Sequence, residues 1–371
     1  MKRFKKNIFY IIAAIGGLSL TSCDSIIYDD ADDCVQGVAL QFRYEYHMEP
    51  GANAFPANVD CVNLFVFDSD GNYLDHFYET TEELKNENYR MQLPLKPGKY
   101  HLVAYGGLAC ENPRFNINHD WANRTKTITH KNDIEVTLPL NSVNTSATLL
   151  HDIQKRVGGL FYGTLDVTIS DKMRWEFQNE VLYMMKDTNN IQVILQELSH
   201  PNSVDHEDYE FTIIDDNFKL DGYNNPISVV TDNNQPLYKP YNSENRVMGW
   251  VEYQERDGAY NSEDPNLPVQ VGCVEFSTSR LFDEHWKSAR LVIEKKKTKA
   301  DEESKPIIDI PLIEYLEATR GFGQSWIQDD QEYLDRQSNW TLMFFLQDGR
   351  WVSTRISVNA WTVRINQTSF D

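Results

Sequence analysis

The sequence predicts an all-β protein. Three observations carry that expectation. Apolar and polar residues alternate in short runs along most of the chain, the period that sets one face of a strand on a core. Clusters of Gly, Pro, Asp and Asn separate these runs at intervals of roughly ten residues. Helical spacing is confined to 311–319, with Leu312, Ile313 and Leu316 on one side, and to a shorter stretch at 328–336.

The first element is not part of the body. Lys2, Arg3, Lys5 and Lys6 open the chain, and no acidic residue precedes Asp24. An apolar run follows from Ile8 to Leu20. It is shorter than the roughly 20 residues a spanning helix needs, so it reads as the core of a signal peptide over 1–22. Leu20, Thr21, Ser22 and Cys23 then form a lipobox, with small residues before the cut and a thiol to take the lipid. Lipidation at Cys23 is therefore expected, and two or more acyl chains give a stable anchor. Residues 23–36 form an acidic linker carrying Asp29, Asp30, Asp32 and Asp33. Removal of 1–22 deepens the net charge from −21 to −25, because it takes four basic residues and no acidic one. Such a chain repels nucleic acid and anionic headgroups.

Strands follow in order. Residues 38–46 alternate, as do 62–67, where Val62, Leu64 and Val66 share a face. Asp68-Ser69-Asp70-Gly71 supplies a turn, and 72–78 return as a strand. Residues 91–95, 100–105, 133–140 and 163–170 continue the series. The mature length of about 349 residues suggests two domains, with the boundary near 175–190; we expect 37–180 and 181–371. In the second half 191–195, 209–214, 272–277 and 290–294 read as strands. Residues 224–268, rich in Asn, Asp, Tyr and Pro, read as long loops. Three runs close the chain at 340–346, 351–358 and 361–365, with Asp348-Gly349 as a hairpin turn.

Motifs of chemistry are sparse. Asp68, Asp70, Asn72 and Glu79 match four positions of a calcium loop, but Tyr73 stands where that loop needs glycine, so a hairpin is expected. There is no nucleophile elbow, zinc-protease helix or phosphate loop. The nine histidines are dispersed, and no metal, cofactor or small-molecule substrate is expected. Neither is enzymatic activity. Four cysteines remain after lipidation. They permit three full pairings among which the sequence does not choose; the pair we favour is Cys34–Cys110, with Cys61 and Cys273 as free thiols.

Several segments together resemble the FimB-type fimbrial anchor family of Bacteroidales, the fimbrillin-A-associated or minor-fimbrium anchors. They are Cys23-Asp24-Ser25-Ile26-Ile27-Tyr28-Asp29-Asp30 with Asp33-Cys34, then Ala54-Phe55-Pro56 and Val62-Asn63-Leu64-Phe65-Val66-Phe67-Asp68. Leu95-Lys96-Pro97-Gly98-Lys99-Tyr100, Leu160-Phe161-Tyr162-Gly163, Tyr333-Leu334-Asp335-Arg336 and Val358-Asn359-Ala360-Trp361 continue the likeness. Ala360 stands where the family usually has glycine. The resemblance implies two tandem transthyretin-like β-sandwiches. It implies an outer-membrane lipoprotein that anchors and terminates a type V fimbria, with stalk subunits as partners joined by β-strand complementation. Physically, a sandwich missing an edge strand exposes unpaired backbone groups and an apolar groove, and a neighbour's strand fills both. Two segments are candidates for exchange, 38–46 and 351–365. A glycan-binding lipoprotein of a nutrient uptake system is the rival reading, which clustered exposed aromatics in one pocket would favour.

Overall fold

The structure is a computed structural model. It describes residues 36–366 apart from 49–50, 108–114, 119–127, 139, 143–148, 152–157, 172–175, 201–202, 231–234, 249–268, 297–305, 322–323 and 359–360. The expected signal peptide, the expected lipobox at Leu20, Thr21, Ser22 and Cys23, and most of the acidic linker lie outside the described residues.

Strands β1 (Gly37–Arg43), β2 (Val62–Asp68), β3 (Tyr73–Glu79), β4 (Met91–Leu93) and β5 (Gly98–Gly106) come from the first hundred or so residues. With β10 (Phe161–Ile169) and β11 (Phe177–Lys186) they form a seven-stranded sheet, ordered β3-β2-β5-β10-β11-β1-β4. The hairpin reading of residues 68–79 is correct. Asp68 Oδ1 accepts the backbone N–H groups of Asp70 and Asn72 at 2.9 and 2.8 Å, and Gly71 takes a φ of 87°. That side-chain bonding is what an Asx turn uses to reverse a chain.

A second, six-stranded sheet is built from β12 (Thr188–Glu197), β16 (Asn242–Met248), β17 (Val269–Ser279), β20 (Asn339–Gln347), β21 (Arg350–Val358) and β22 (Trp361–Asn366). Its order is β16-β17-β12-β20-β21-β22. The β20–β21 turn uses Asp348 and Gly349, both at positive φ, as a two-residue hairpin requires. The Glu197 carboxylate accepts their N–H groups at 3.1 and 2.9 Å, which fixes the turn to the end of β12.

A third sheet has the order β19-β18-β13-β15-β9-β8. Its strands are β8 (Leu140–Ser142), β9 (Leu149–His151), β13 (Tyr209–Ile214), β15 (Pro236–Tyr238), β18 (Arg290–Lys295) and β19 (Pro306–Pro311). A small sheet joins β6 (Asn116–Ile117), β7 (Glu135–Thr137) and β14 (Lys219–Asp221). Strands within 116–151 thus pair with strands beyond residue 187. Three short α-helices lie among the described residues: α1 (Phe55–Asn58), α2 (Leu312–Glu317) and α3 (Asp330–Arg336). The last two fall where helical spacing predicted them.

The all-β expectation is met, and the region 224–268 needs correction. It contains β15 and β16, not loops alone. Strand β16, sequence NSENRVM, is an edge strand with no buried residue, so it carries no apolar alternation for a reader to find.

Two large cores organise the described residues, beside a smaller cluster that includes Ile194, Val269, Val271, Met343 and Phe345. Val38, Leu40, Phe42, Leu64, Leu102, Leu182 and Met184 pack in one, on the inner face of the seven-stranded sheet. The other begins on the opposite face of that sheet, at Phe65, Val103 and Tyr105, and runs through Ile191, Val193, Phe276, Trp340 and Phe344 to Val358. Burial of each large apolar side chain contributes about 2 kcal/mol. A single residue, Asp187, separates β11 in the first sheet from β12 in the second.

Candidate assembly surface

The first strand is held on both flanks. β1 runs parallel to β11 over seven residue pairs, from Gly37 opposite Phe177 to Arg43 opposite Tyr183. On its other side β4 pairs antiparallel with Val38, Ala39 and Leu40. Gly37 is required there. A Cβ built on it would sit 1.8 Å from the Leu93 carbonyl oxygen, far inside van der Waals contact. Val38, Leu40 and Phe42 point into the core at 0 to 3% exposure, so the strand cannot leave without opening that core. Arg43 pairs with Glu45, and its backbone lies within the ladder.

Past β1 the chain is held again. The Arg336 guanidinium, on α3, lies 4.0 Å from the centre of the Tyr46 ring and 5.0 Å from that of Trp326. Glu332 binds the same guanidinium one helical turn away. Burial, with Asp335 and Glu332 nearby, pushes the Tyr46 phenol up to about 12, so it stays protonated at any ordinary pH. This stack joins the segment after the first strand to the second half of the chain.

The C-terminal run forms a meander. β21 lies between β20 and β22, with Thr354, Ile356 and Val358 buried. β22 ends the sheet order, so its outer flank is an edge. Of the two exchange candidates, β1 and β21 are therefore interior strands, and β22 alone offers an edge.

One cleft, of about 440 Å³, opens where the small sheet meets the large one. His101 and Asp166 sit opposite each other on β5 and β10, with Nδ1 2.5 Å from the carboxylate. Thr164 Oγ1 is 3.2 Å from His101 Nε2. This order of hydroxyl, imidazole and carboxylate invites comparison with a nucleophile and its base. Lys131 Nζ, however, also reaches Nε2, at 2.9 Å. An ammonium can only donate, so it occupies the lone pair that a base would need. The same Lys131 stands 4.0 Å over the Tyr223 ring, taking one face of the exposed aromatic that lines the cleft.

The cysteine assignments change in part. Cys273 is a free, buried thiol as expected, and burial pushes its pKa up to about 11. Cys61 is disulfide-bonded, which corrects its assignment as a free thiol. Cys34 and Cys110 lie outside the described residues. No cluster of three or more His, Cys, Asp or Glu suited to a metal occurs among the described residues. No helix among them is long and apolar enough to cross a membrane.

Comparison with known proteins places this architecture. The model of the fimbrillin-A associated anchor proteins Mfa1 and Mfa2 matches residues 31–367. The chain belongs to that anchor family. Within the family, the minor fimbrium anchoring subunit Mfa2 of Porphyromonas gingivalis is 32% identical over 99 residues. That stretch is 26% of this chain and 29% of Mfa2's length. The solved structure of the fimbrial anchor protein Mfa2 from Porphyromonas gingivalis matches over 89% of this chain and 99% of its own at a TM-score of 0.57, with 16% identity, a likeness of fold. A proposed adhesin from Bacteroides thetaiotaomicron is 37% identical, with a TM-score of 0.71 over 90% of this chain and 99% of that one. A proposed polysaccharide-binding protein of the same species is 28% identical, with a TM-score of 0.66 over the same shares. The anchor-family resemblance carried by the sequence motifs is thus correct, and it describes a structural family rather than an enzymatic one.

Proposed function

We propose that this protein is an outer-membrane lipoprotein that anchors and terminates a type V fimbria, joined to stalk subunits by β-strand complementation. The supporting observation is the first strand, paired on both flanks and buried on one face, in a chain of the anchor family. A subunit that keeps its first strand has no open groove to receive a neighbour's strand. It therefore ends a polymer rather than extending it. We read the body as two transthyretin-like sandwiches, 37–180 and 181–371. Lipid at Cys23 supplies the membrane attachment.

Cys23→Ala tests the attachment. The variant is expected in the soluble fraction or unprocessed, and wild-type recovery in the membrane pellet would sink the lipid reading. Removal of 361–371 tests strand exchange. It takes away the edge strand β22 and leaves β21 with its core contacts. If β22 is the exchanged strand, fimbriae polymerise but are shed into the medium. Cell-bound fimbriae of normal length from a folded, lipidated variant would refute that role.

The glycan-binding rival has less support. Trp286, Trp326, Tyr183 and Tyr223 are each exposed by 42 to 58%, yet only Tyr223 of these lines the cleft at His101.

A further inference from the structure

The direction of pairing at β1 has a mechanical meaning. β11 continues through Asp187 directly into β12. β12 is central in the second sheet, registered with β17 on one side and β20 on the other. A pull from the N-terminal side enters the β1–β11 ladder at Gly37. Resistance from the second half enters the same ladder at Tyr183, its far end, through the last three residues of β11. Because the strands are parallel, those two points lie at opposite ends of the ladder. The evenly spaced bonds of a parallel pair then carry the load together. In an antiparallel pair the same two chain ends would lie side by side, and the bonds would break singly, in succession.

We propose that the β1–β11 ladder is a mechanical clamp loaded in shear, through which tension between the tether and the body passes. The source of that tension rests on the anchor reading; the clamp itself is a property of the fold. Three further features serve it. Val38, Leu40 and Phe42 bury the ladder's inner face, so water does not compete for its hydrogen bonds. β4 covers the second flank of β1 at Val38, Ala39 and Leu40, in contact tight enough that residue 37 must lack a side chain. Beyond β1, the stack of Arg336 on Tyr46 and Trp326 holds the next stretch of chain to α3, so a strand that slips is caught after a few residues.

Single-molecule pulling on the mature chain tests the clamp without any membrane. One handle is attached at the N-terminus ahead of β1. The second is a click-reactive amino acid at one of two exposed positions. At Lys287, in the second half, it loads the ladder in shear. At Glu176, beside Phe177, it pulls from the same end as Gly37 and peels the strands apart. Matching thermal melts establish that both labelled forms are folded. The expected rupture force is several-fold higher in the Lys287 geometry, since forced unfolding reports the barrier along the direction pulled. A rupture force no higher than in the Glu176 geometry would overturn the proposal. Either result is independent of where Cys23→Ala is recovered, so the clamp and the anchor reading fail separately.

Discussion

Asp187 is the one residue between β11 of the seven-stranded sheet and β12 of the second sheet, and it is wholly buried. Its Oδ1 accepts from Asn224 Nδ2 at 2.9 Å, while Oδ2 is buried without a hydrogen-bond partner. Arg280 lies near, but its guanidinium is engaged by both oxygens of Asp335 at 2.8 Å and by the Asn224 carbonyl at 2.6 Å. Burial pushes the Asp187 carboxyl up to about 7; Arg280 and Asn224 pull it down, and Asp335 adds to the rise. In the unfolded chain the same group ionises near 3.8. Between those values the folded form keeps a proton that the unfolded form has released. Stability from this group is therefore greatest at acid pH and falls as pH climbs from about 4 to 7. The loss is of the order of 4 kcal/mol. Asp187→Asn removes it. Thermal melts should show the variant well above wild type at pH 8 and close to it at pH 4. A variant no more stable than wild type at pH 8 would contradict this account. None of this was legible in the sequence, where Asp187 is one of 56 acidic residues. Burial and partners come from strands far apart in the chain, and so does the pairing of His285 with Asp215 at 2.6 Å.

At the scale of elements, pairing geometry constrains the disulfide. The Gly107 N–H bonds the Cys61 carbonyl at 3.0 Å, and Cys110 follows Gly107 by three residues, a reach of about 10 Å. Cys34 precedes Gly37, at the opposite end of β1 from the strand ends that meet Cys61. Seven strand residues separate those ends, about 23 Å. We therefore predict a Cys61–Cys110 bond in place of Cys34–Cys110. Peptide mapping of the non-reduced protein should recover those two peptides linked; a peptide linking Cys34 to Cys61 would rule the pairing out. The elements themselves are legible where one face is buried and the other wet, as in β2, β20 and β21, because alternation then has a cause. The turns at Asp68–Gly71 and Asp348–Gly349 are legible because positive φ and Asx bonding demand those residues. β11 is not. Its sequence, FQNEVLYMMK, buries only Leu182 and Met184, and its neighbours on the two sides come from distant segments. The parallel pairing of β1 with β11 is likewise hidden, since residue patterns carry a strand's faces and not its partner's direction. Of the candidate sites, the first strand is legible as an alternating run close behind the expected lipid tether. The stack of Tyr46, Arg336 and Trp326 does not show in the sequence, because its members lie as much as 290 positions apart.

Across the whole molecule, one apolar core runs from Phe65 on β2 to Val358 on β21. The two halves share it, so neither keeps its full core alone. Calorimetry should give one cooperative unfolding transition, with the van't Hoff and calorimetric enthalpies in agreement. Two resolved transitions would show that the halves melt independently. The long-range pairing also sets an order of events in time. Gly37 is opposite Phe177, 140 positions further along the chain. In the export we propose, which starts from the N-terminal end, β1 emerges among the first segments of the body, yet its parallel neighbour does not exist outside the membrane until more than a third of the chain has followed. For that interval an apolar strand stands bare, and ladders that close such distances form slowly. The segment that ends as the best-guarded strand begins as the most vulnerable one, and its safe passage depends on how quickly residues 177–186 arrive.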